Sequence, residues 1–118
     1  MGLNAIVFDG RTARCQAIAA DLTKLRFAVR PYDNAKFALQ VLREDAKACD
    51  LVVTTDIEFA RSARAVAPSA SIILIDSHKA THPRLLMPGL VVAHSTGEAA
   101  LSQSISVVMG NRIRGAGA

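Results

Sequence analysis

Residues Asp50–Asp76 read DLVVTTDIEFARSARAVAPSASIILID. Two short runs rich in β-branched and aliphatic residues, Leu51–Thr55 and Ser71–Ile75, flank a segment of a different period. Neither run has the polar alternation of a half-solvated strand, so both read as strands buried on two faces. Between them Phe59, Ala63, Val66 and Ala67 recur at helical spacing, and Pro68-Ser69 stops the pattern. Strand, helix and strand in this order predict a right-handed crossover between parallel strands.

The alternation extends in both directions. Asn4–Phe8 is a first apolar run, ended by Asp9-Gly10. Thr12–Leu25 sets Cys15, Ile18, Ala19, Leu22 and Leu25 on one helical face, with Arg14, Gln16, Asp21 and Lys24 opposite. Phe27–Pro31 is a second strand, and Arg30 and Pro31 place it at a sheet edge, where a missing N–H is harmless. Asn34 is the expected N-cap of a helix over Ala35–Glu44. Past Asp76, residues 77–83 are polar and loop-like, Arg84–Met87 reads as a short helical turn, Pro88-Gly89 as a turn and Leu90–Ala93 as a fifth strand. Ser95-Thr96-Gly97-Glu98 has capping-box spacing, with Ser95 at N-cap and Glu98 at N3. The last helix then runs through Leu101, Ser104, Ile105 and Val108 to a stop at Gly110. Five strands and about five helices in alternation predict an α/β fold, a doubly wound five-stranded parallel sheet with helices on both faces. The expected organisation is one domain over residues 1–110 and a flexible tail over 111–118.

Composition narrows the function classes. The chain has 118 residues, 51% hydrophobic and 20% charged, which excludes disorder. No apolar run reaches the ~18 residues of a membrane span and no signal-peptide pattern precedes Asn4, so a soluble cytoplasmic protein is expected. Two cysteines, Cys15 and Cys49, make neither a disulfide scaffold nor a structural zinc site, and Cys49 is expected to be half-exposed. The net charge of +4 is uneven: residues 1–59 hold eight Lys/Arg and eight Asp/Glu, whereas residues 60–118 hold six against two. There is no tight Lys/Arg cluster, and four Phe with one Tyr leave few rings for stacking, so nucleic acid is disfavoured as a partner.

In an open α/β sheet, ligands bind beyond the carboxyl ends of the strands. Those ends carry Asp9, Thr55-Asp56, Asp76-Ser77 and His94-Ser95. Carboxylates converging there would suit Mg²⁺, and one beside the metal could accept a phosphoryl group. Equally, each acid could cap the helix that follows it.

Together with the strand–helix order, Ala5-Ile-Val-Phe-Asp9 and Asp50-Leu-Val-Val-Thr-Thr-Asp56-Ile57 make residues 4–110 resemble the receiver domains of two-component response regulators. The resemblance implies a flavodoxin-like fold with strand order 2-1-3-4-5. It also implies an Mg²⁺ site of adjacent acids after the first strand and a phospho-accepting aspartate at the end of the third. A switch Ser/Thr after the fourth strand and a lysine after the fifth complete the pattern. Here Asp9 is followed by Gly10 and Arg11, so the second acid is missing, and Arg11 would bring positive charge to the metal position. Thr55 takes the acceptor position in ungapped register and Asp56 lies one residue on, on the opposite face of a strand. Asp76 falls at the switch position with Ser77 after it, and His94 replaces the lysine. The resemblance therefore implies a degenerate receiver: a non-catalytic signalling module, without a cofactor, that binds a histidine kinase, an effector domain or a second copy of itself. The expected partner face holds Arg84, Leu85, Leu86 and Met87.

Two alternatives stand beside this reading. One is a working phosphoacceptor at Asp56, with Asp9 and Asp56 holding Mg²⁺. The other is an anion or cyclic-dinucleotide site built from Arg61, Arg64, Arg84, Arg112 and Arg114. His78 and His82 lie four apart, with His94 beyond, but Pro83 and the polar loop around them argue against a zinc-binding helix. Ser77, His94 and Asp9 lack a Gly-x-Ser-x-Gly elbow, which disfavours a hydrolase.

Overall fold

A computed structural model describes residues 3–76, 84–93 and 97–117. The chain order is β1 (Leu3–Phe8), α1 (Thr12–Lys24), β2 (Phe27–Tyr32), α2 (Ala35–Glu44), a 3₁₀ turn (Ala46–Ala48), β3 (Leu51–Thr54), α3 (Ile57–Val66), β4 (Ser71–Ile75), β5 (Arg84–Met87), β6 (Leu90–Ala93) and α4 (Glu98–Gly117). The strands form one sheet in the order β2-β1-β3-β4-β6-β5. All neighbours are parallel except β5, which runs antiparallel to β6 at the edge. With β6 as the fifth strand of the sequence reading, the doubly wound order 2-1-3-4-5 holds, and β2 with Arg30 and Pro31 forms the other edge.

Period-2 alternation splits the core into two layers. On one face Ile6, Val52, Ile72 and Leu74 pack against Ala38 and Leu42 of α2 and Phe59 and Ala63 of α3. On the other, Val7, Leu51, Val53 and Ile73 pack against Ile18 and Leu22 of α1 and Leu101 and Met109 of α4. Phe8 and Phe59 bring their rings to 4.6 Å between centroids, which ties the tip of β1 to α3.

Three local expectations need correction. Arg84–Met87 is not a helical turn but strand β5. Four residues are too few to nucleate a helix, and Pro88 disfavours the helical region for Met87 before it. Pro88-Gly89, with Gly89 at φ +82°, is the tight turn of a hairpin that pairs Leu85 with Val91 and Met87 with Leu90. The last helix starts with Gly97 in the N-cap place and Glu98 as its first residue, the Leu101 N–H donating to the Gly97 carbonyl at 2.9 Å. Ser95 lies outside the described residues. The helix also runs past Gly110 to Gly117. An interior glycine costs only about 1 kcal/mol, Met109 is buried just before it, and no proline follows. Finally, Cys49 is buried like Cys15, its thiol donating to the Leu51 carbonyl at 3.3 Å, and burial pushes both thiols up from their ordinary pKa.

Candidate functional site at the carboxyl ends of β1 and β3

Asp9 follows β1 directly and is fully buried. Its backbone N–H donates to the Tyr32 carbonyl at 3.3 Å, which extends the β1–β2 ladder by one step and fixes the side chain over the sheet's carboxyl end. An isolated carboxylate in this place would be costly, so its partners decide whether it persists.

It has four. Oδ1 accepts from the Arg11 backbone N–H at 2.8 Å and from Arg14 Nη2 at 3.1 Å. Oδ2 accepts from Thr55 Oγ1 at 2.9 Å and from Arg14 Nε. The guanidinium thus forks across both carboxylate oxygens, the strong geometry for this ion pair. Arg14 Nη2 also reaches Thr55 Oγ1 at 3.3 Å, closing a ring of three side chains from β1, α1 and the end of β3. Burial alone pushes the Asp9 carboxyl up. The hydrogen bonds from Arg14, the Arg11 N–H and Thr55 outweigh it, so the carboxyl sits below its ordinary value. The hydrogen bond to Asp9 raises the Arg14 pKa in turn, and the Arg14 side chain remains 44% exposed.

The backbone settles which of two neighbours faces Asp9. Thr55, just past β3, turns its hydroxyl into the ring. Asp56 turns outward, is exposed, and caps α3: its Oδ1 accepts from the Phe59 N–H at 3.0 Å, while its own N–H donates to Thr54 Oγ1 at 3.1 Å. Asp56 is therefore not part of a converging acid cluster but the N-cap of a helix. Asp76 is half-buried at the end of β4, its N–H donating to the Ala93 carbonyl at 2.8 Å. Ser77, His78, His82, His94 and Ser95 lie outside the described residues, as do the side chains of Arg84, Met87, Arg112 and Arg114. Leu85 and Leu86 of the expected partner face are 49% and 46% exposed.

The positive charge at Asp9 comes from a residue that the helical pattern assigns to the polar face of α1. Arg11 supplies only its backbone N–H, and Arg14 supplies the guanidinium. The signal was present in the spacing: side chains lean toward a helix's N-terminus, and Arg14 stands in the first turn, five residues past Asp9.

Mg²⁺ demands near-octahedral oxygen ligands at close range. Both Asp9 oxygens already accept two hydrogen bonds each, and the nearest side-chain cation is fixed between them. The described residues at this rim do not fit the metal. Among the described residues no three His, Cys, Asp or Glu side chains cluster as metal ligands. A cavity of about 650 Å³ opens elsewhere, between α1, the end of β2 and the start of α2, and is lined by Gln16, Tyr32, Asn34 and Phe37.

Solved structures similar to this chain include response regulator receivers. A response regulator receiver domain protein from Clostridium thermocellum superposes with a TM-score of 0.73 at 17% identity, over 95% of this chain and 98% of its own. A response regulator receiver protein from Sinorhizobium medicae gives 0.72 at 21% identity, over 94% and 97%. The complex of the phosphorylated P1 domain of CheA3 with CheY6 from R. sphaeroides gives 0.66 at 22% identity, over 92% of this chain and 97% of the matched one. No family model and no curated protein sequence matches. The chain has the CheY-like receiver fold, with one added antiparallel strand at its edge. Among the described residues no helix is long and apolar enough to cross a membrane.

Proposed function

We propose that the chain is a non-catalytic, cytoplasmic two-component signalling module: a degenerate receiver that binds other proteins without Mg²⁺-dependent phosphorylation. The observation that carries this reading is the Arg14–Asp9–Thr55 ring. Where a phospho-accepting receiver would keep carboxylates for a divalent ion, this chain commits Asp9, the one buried carboxylate among the described residues, to its own arginine. A threonine hydroxyl, not a carboxylate, faces that pair. Asp56, the remaining acceptor candidate, is engaged as a helix cap with its oxygen on the Phe59 N–H. A module of this kind works through its surface, and the exposed Leu85 and Leu86 of β5 are the residues on which we place partner contact, with Arg84 and Met87 beside them. The complex of the phosphorylated P1 domain of CheA3 with CheY6 among the similar structures supports a histidine kinase as the first partner to test.

The test is a titration of the ¹⁵N-labelled chain with Mg²⁺ and then beryllofluoride, which mimics a phosphoryl group on a carboxylate. The expected result is no saturable shift of the Asp9, Thr55 or Asp56 amides at millimolar metal. A saturable shift centred on Asp9 and Asp56 overturns the proposal and restores the phosphoacceptor alternative.

A further inference from the structure

Among the described residues the sheet face covered by α2 and α3 is incomplete. A parallel sheet needs helices over both faces. α2 lies over β1 and β2, and α3 over β3 and β4, but among the described residues strand β5, and no helix, stands between β4 and β6. Beside α3 this leaves a groove with a cavity of about 490 Å³. α3 lines one wall with Ile57, Ala60, Arg61, Arg64 and Ala65, spaced i, i+3, i+4, i+7 and i+8. Leu74, Leu86 and Leu90 of the sheet line the other. Ile57 is 42% and Leu86 46% exposed, an unusual position for two large aliphatic side chains sharing one groove.

The surroundings select the occupant. The chain's own connection, Ser77-His-Lys-Ala-Thr-His-Pro83, has no large apolar side chain with which to fill an apolar groove. A second copy docked face to face would set Arg61 and Arg64 against the same two arginines, and α4 offers one acid, Glu98. Both arginines are available. Among the described residues Arg61 pairs with Glu58 alone, at 3.3 Å with both side chains more than 70% exposed, a pair that exchanges readily. Arg64 has no carboxylate partner among the described residues, and its guanidinium lies against the turn at Gly89. Small residues at Ala60 and Ala65 let a helix approach α3 closely.

We propose that this groove docks an acidic amphipathic helix from another protein. Its apolar residues at i, i+4 and i+7 pack on Ile57, Leu74 and Leu86, and its carboxylates pair with Arg61 and Arg64. The proposal names a partner chemistry for the binding module proposed above and rests on that reading, but it does not depend on what Asp9 binds.

The probe is a fluorescein-labelled peptide of about 14 residues, with Leu at those three positions, Glu flanking them and Ala elsewhere. A second peptide has every Glu replaced by Lys. Titration into the full 118-residue chain is expected to give saturable binding of the acidic peptide that weakens with salt, with amide shifts at Ile57, Ala65 and Leu90. The double variant Arg61→Glu, Arg64→Glu, checked for an unchanged circular dichroism spectrum, should bind the acidic peptide at least tenfold more weakly and the basic peptide more tightly. Lack of saturation by about 1 mM, equal binding of both peptides, shifts mapping elsewhere, or a chain that sedimentation shows to be dimeric through this face overturns the proposal. Repeating the titration with Mg²⁺ and beryllofluoride separates the two claims: a phosphoryl response with intact peptide binding removes the degenerate-receiver reading and leaves the groove standing.

Discussion

Two ends of one sheet treat polarity in opposite ways. At the carboxyl tips of β1 and β3, where an open α/β sheet ordinarily receives ligands, every strong acceptor of Asp9 is satisfied from within the chain. Over β4 and β6, where such a sheet ordinarily has a covering helix, aliphatic side chains remain open to solvent at Ile57 and Leu86. The place built for chemistry is closed, and the place built for packing is open. On the function and groove proposed above, binding selectivity belongs to the flank more than to the rim.

The sharpest way to break the contrast is to open the rim. Arg14→Ala leaves the fully buried Asp9 carboxylate with only the Arg11 N–H and the Thr55 hydroxyl. Removing one partner of a buried ion pair costs 3–5 kcal/mol, and the 44% exposure of Arg14 reduces this to about 2–3 kcal/mol at pH 7, read by urea unfolding. The pH dependence carries a sign. The Asp9 carboxyl is lowered in the folded chain, so its contribution is present above the ordinary carboxylate range and is lost as pH falls through the folded value. Stability of the parent chain should drop through the acid limb below about pH 4, and the drop should be shallower in Arg14→Ala. An unchanged midpoint for the variant would mean that the guanidinium contributes nothing and that the rim is not closed by it.

Much of this was legible in the residues. Strand runs without alternation and helical stripes at 3.6 spacing placed the five parallel strands, and α2 and β4 have the boundaries read from sequence. The reading failed where local and long-range demands compete. Arg84–Met87 has an apolar composition that suits either a helical turn or a strand. The choice is made by Pro88-Gly89, which folds the segment back along β6. Asp56 could be acid or cap because both uses place a carboxylate at a strand–helix junction. The outcome turned on one residue of register, which sends Thr55 inward and Asp56 out. Arg14 was hidden by its own helix: on a wheel it lies on the polar face, and only the reach of its side chain past the first turn brings it to Asp9.

Asp56 gives the intermediate test. As an N-cap accepting from the Phe59 N–H, its replacement in Asp56→Ala should cost about 1 kcal/mol and loosen the start of α3, read as faster amide exchange at Glu58 and Phe59. The variant should leave the Asp9 ring and any partner affinity unchanged, because the two carboxylates share no hydrogen bond among the described residues. Loss of partner binding in Asp56→Ala would join rim to flank and erase the distinction between them.

The smallest effect is expected on the open side, and its smallness is the point. Leu86 is 46% exposed, so Leu86→Ser removes little apolar contact from the folded chain and should change stability by no more than about 0.5 kcal/mol. A buried leucine of the same sheet would cost several times more, because truncation there leaves a cavity. The same substitution should weaken docking at the groove, since an anchor side chain contributes once a partner has excluded water around it. Stability and binding therefore separate at this residue. A destabilisation above about 1.5 kcal/mol in the isolated chain would mean that Leu86 is already packed against the chain itself, and the groove would then be core.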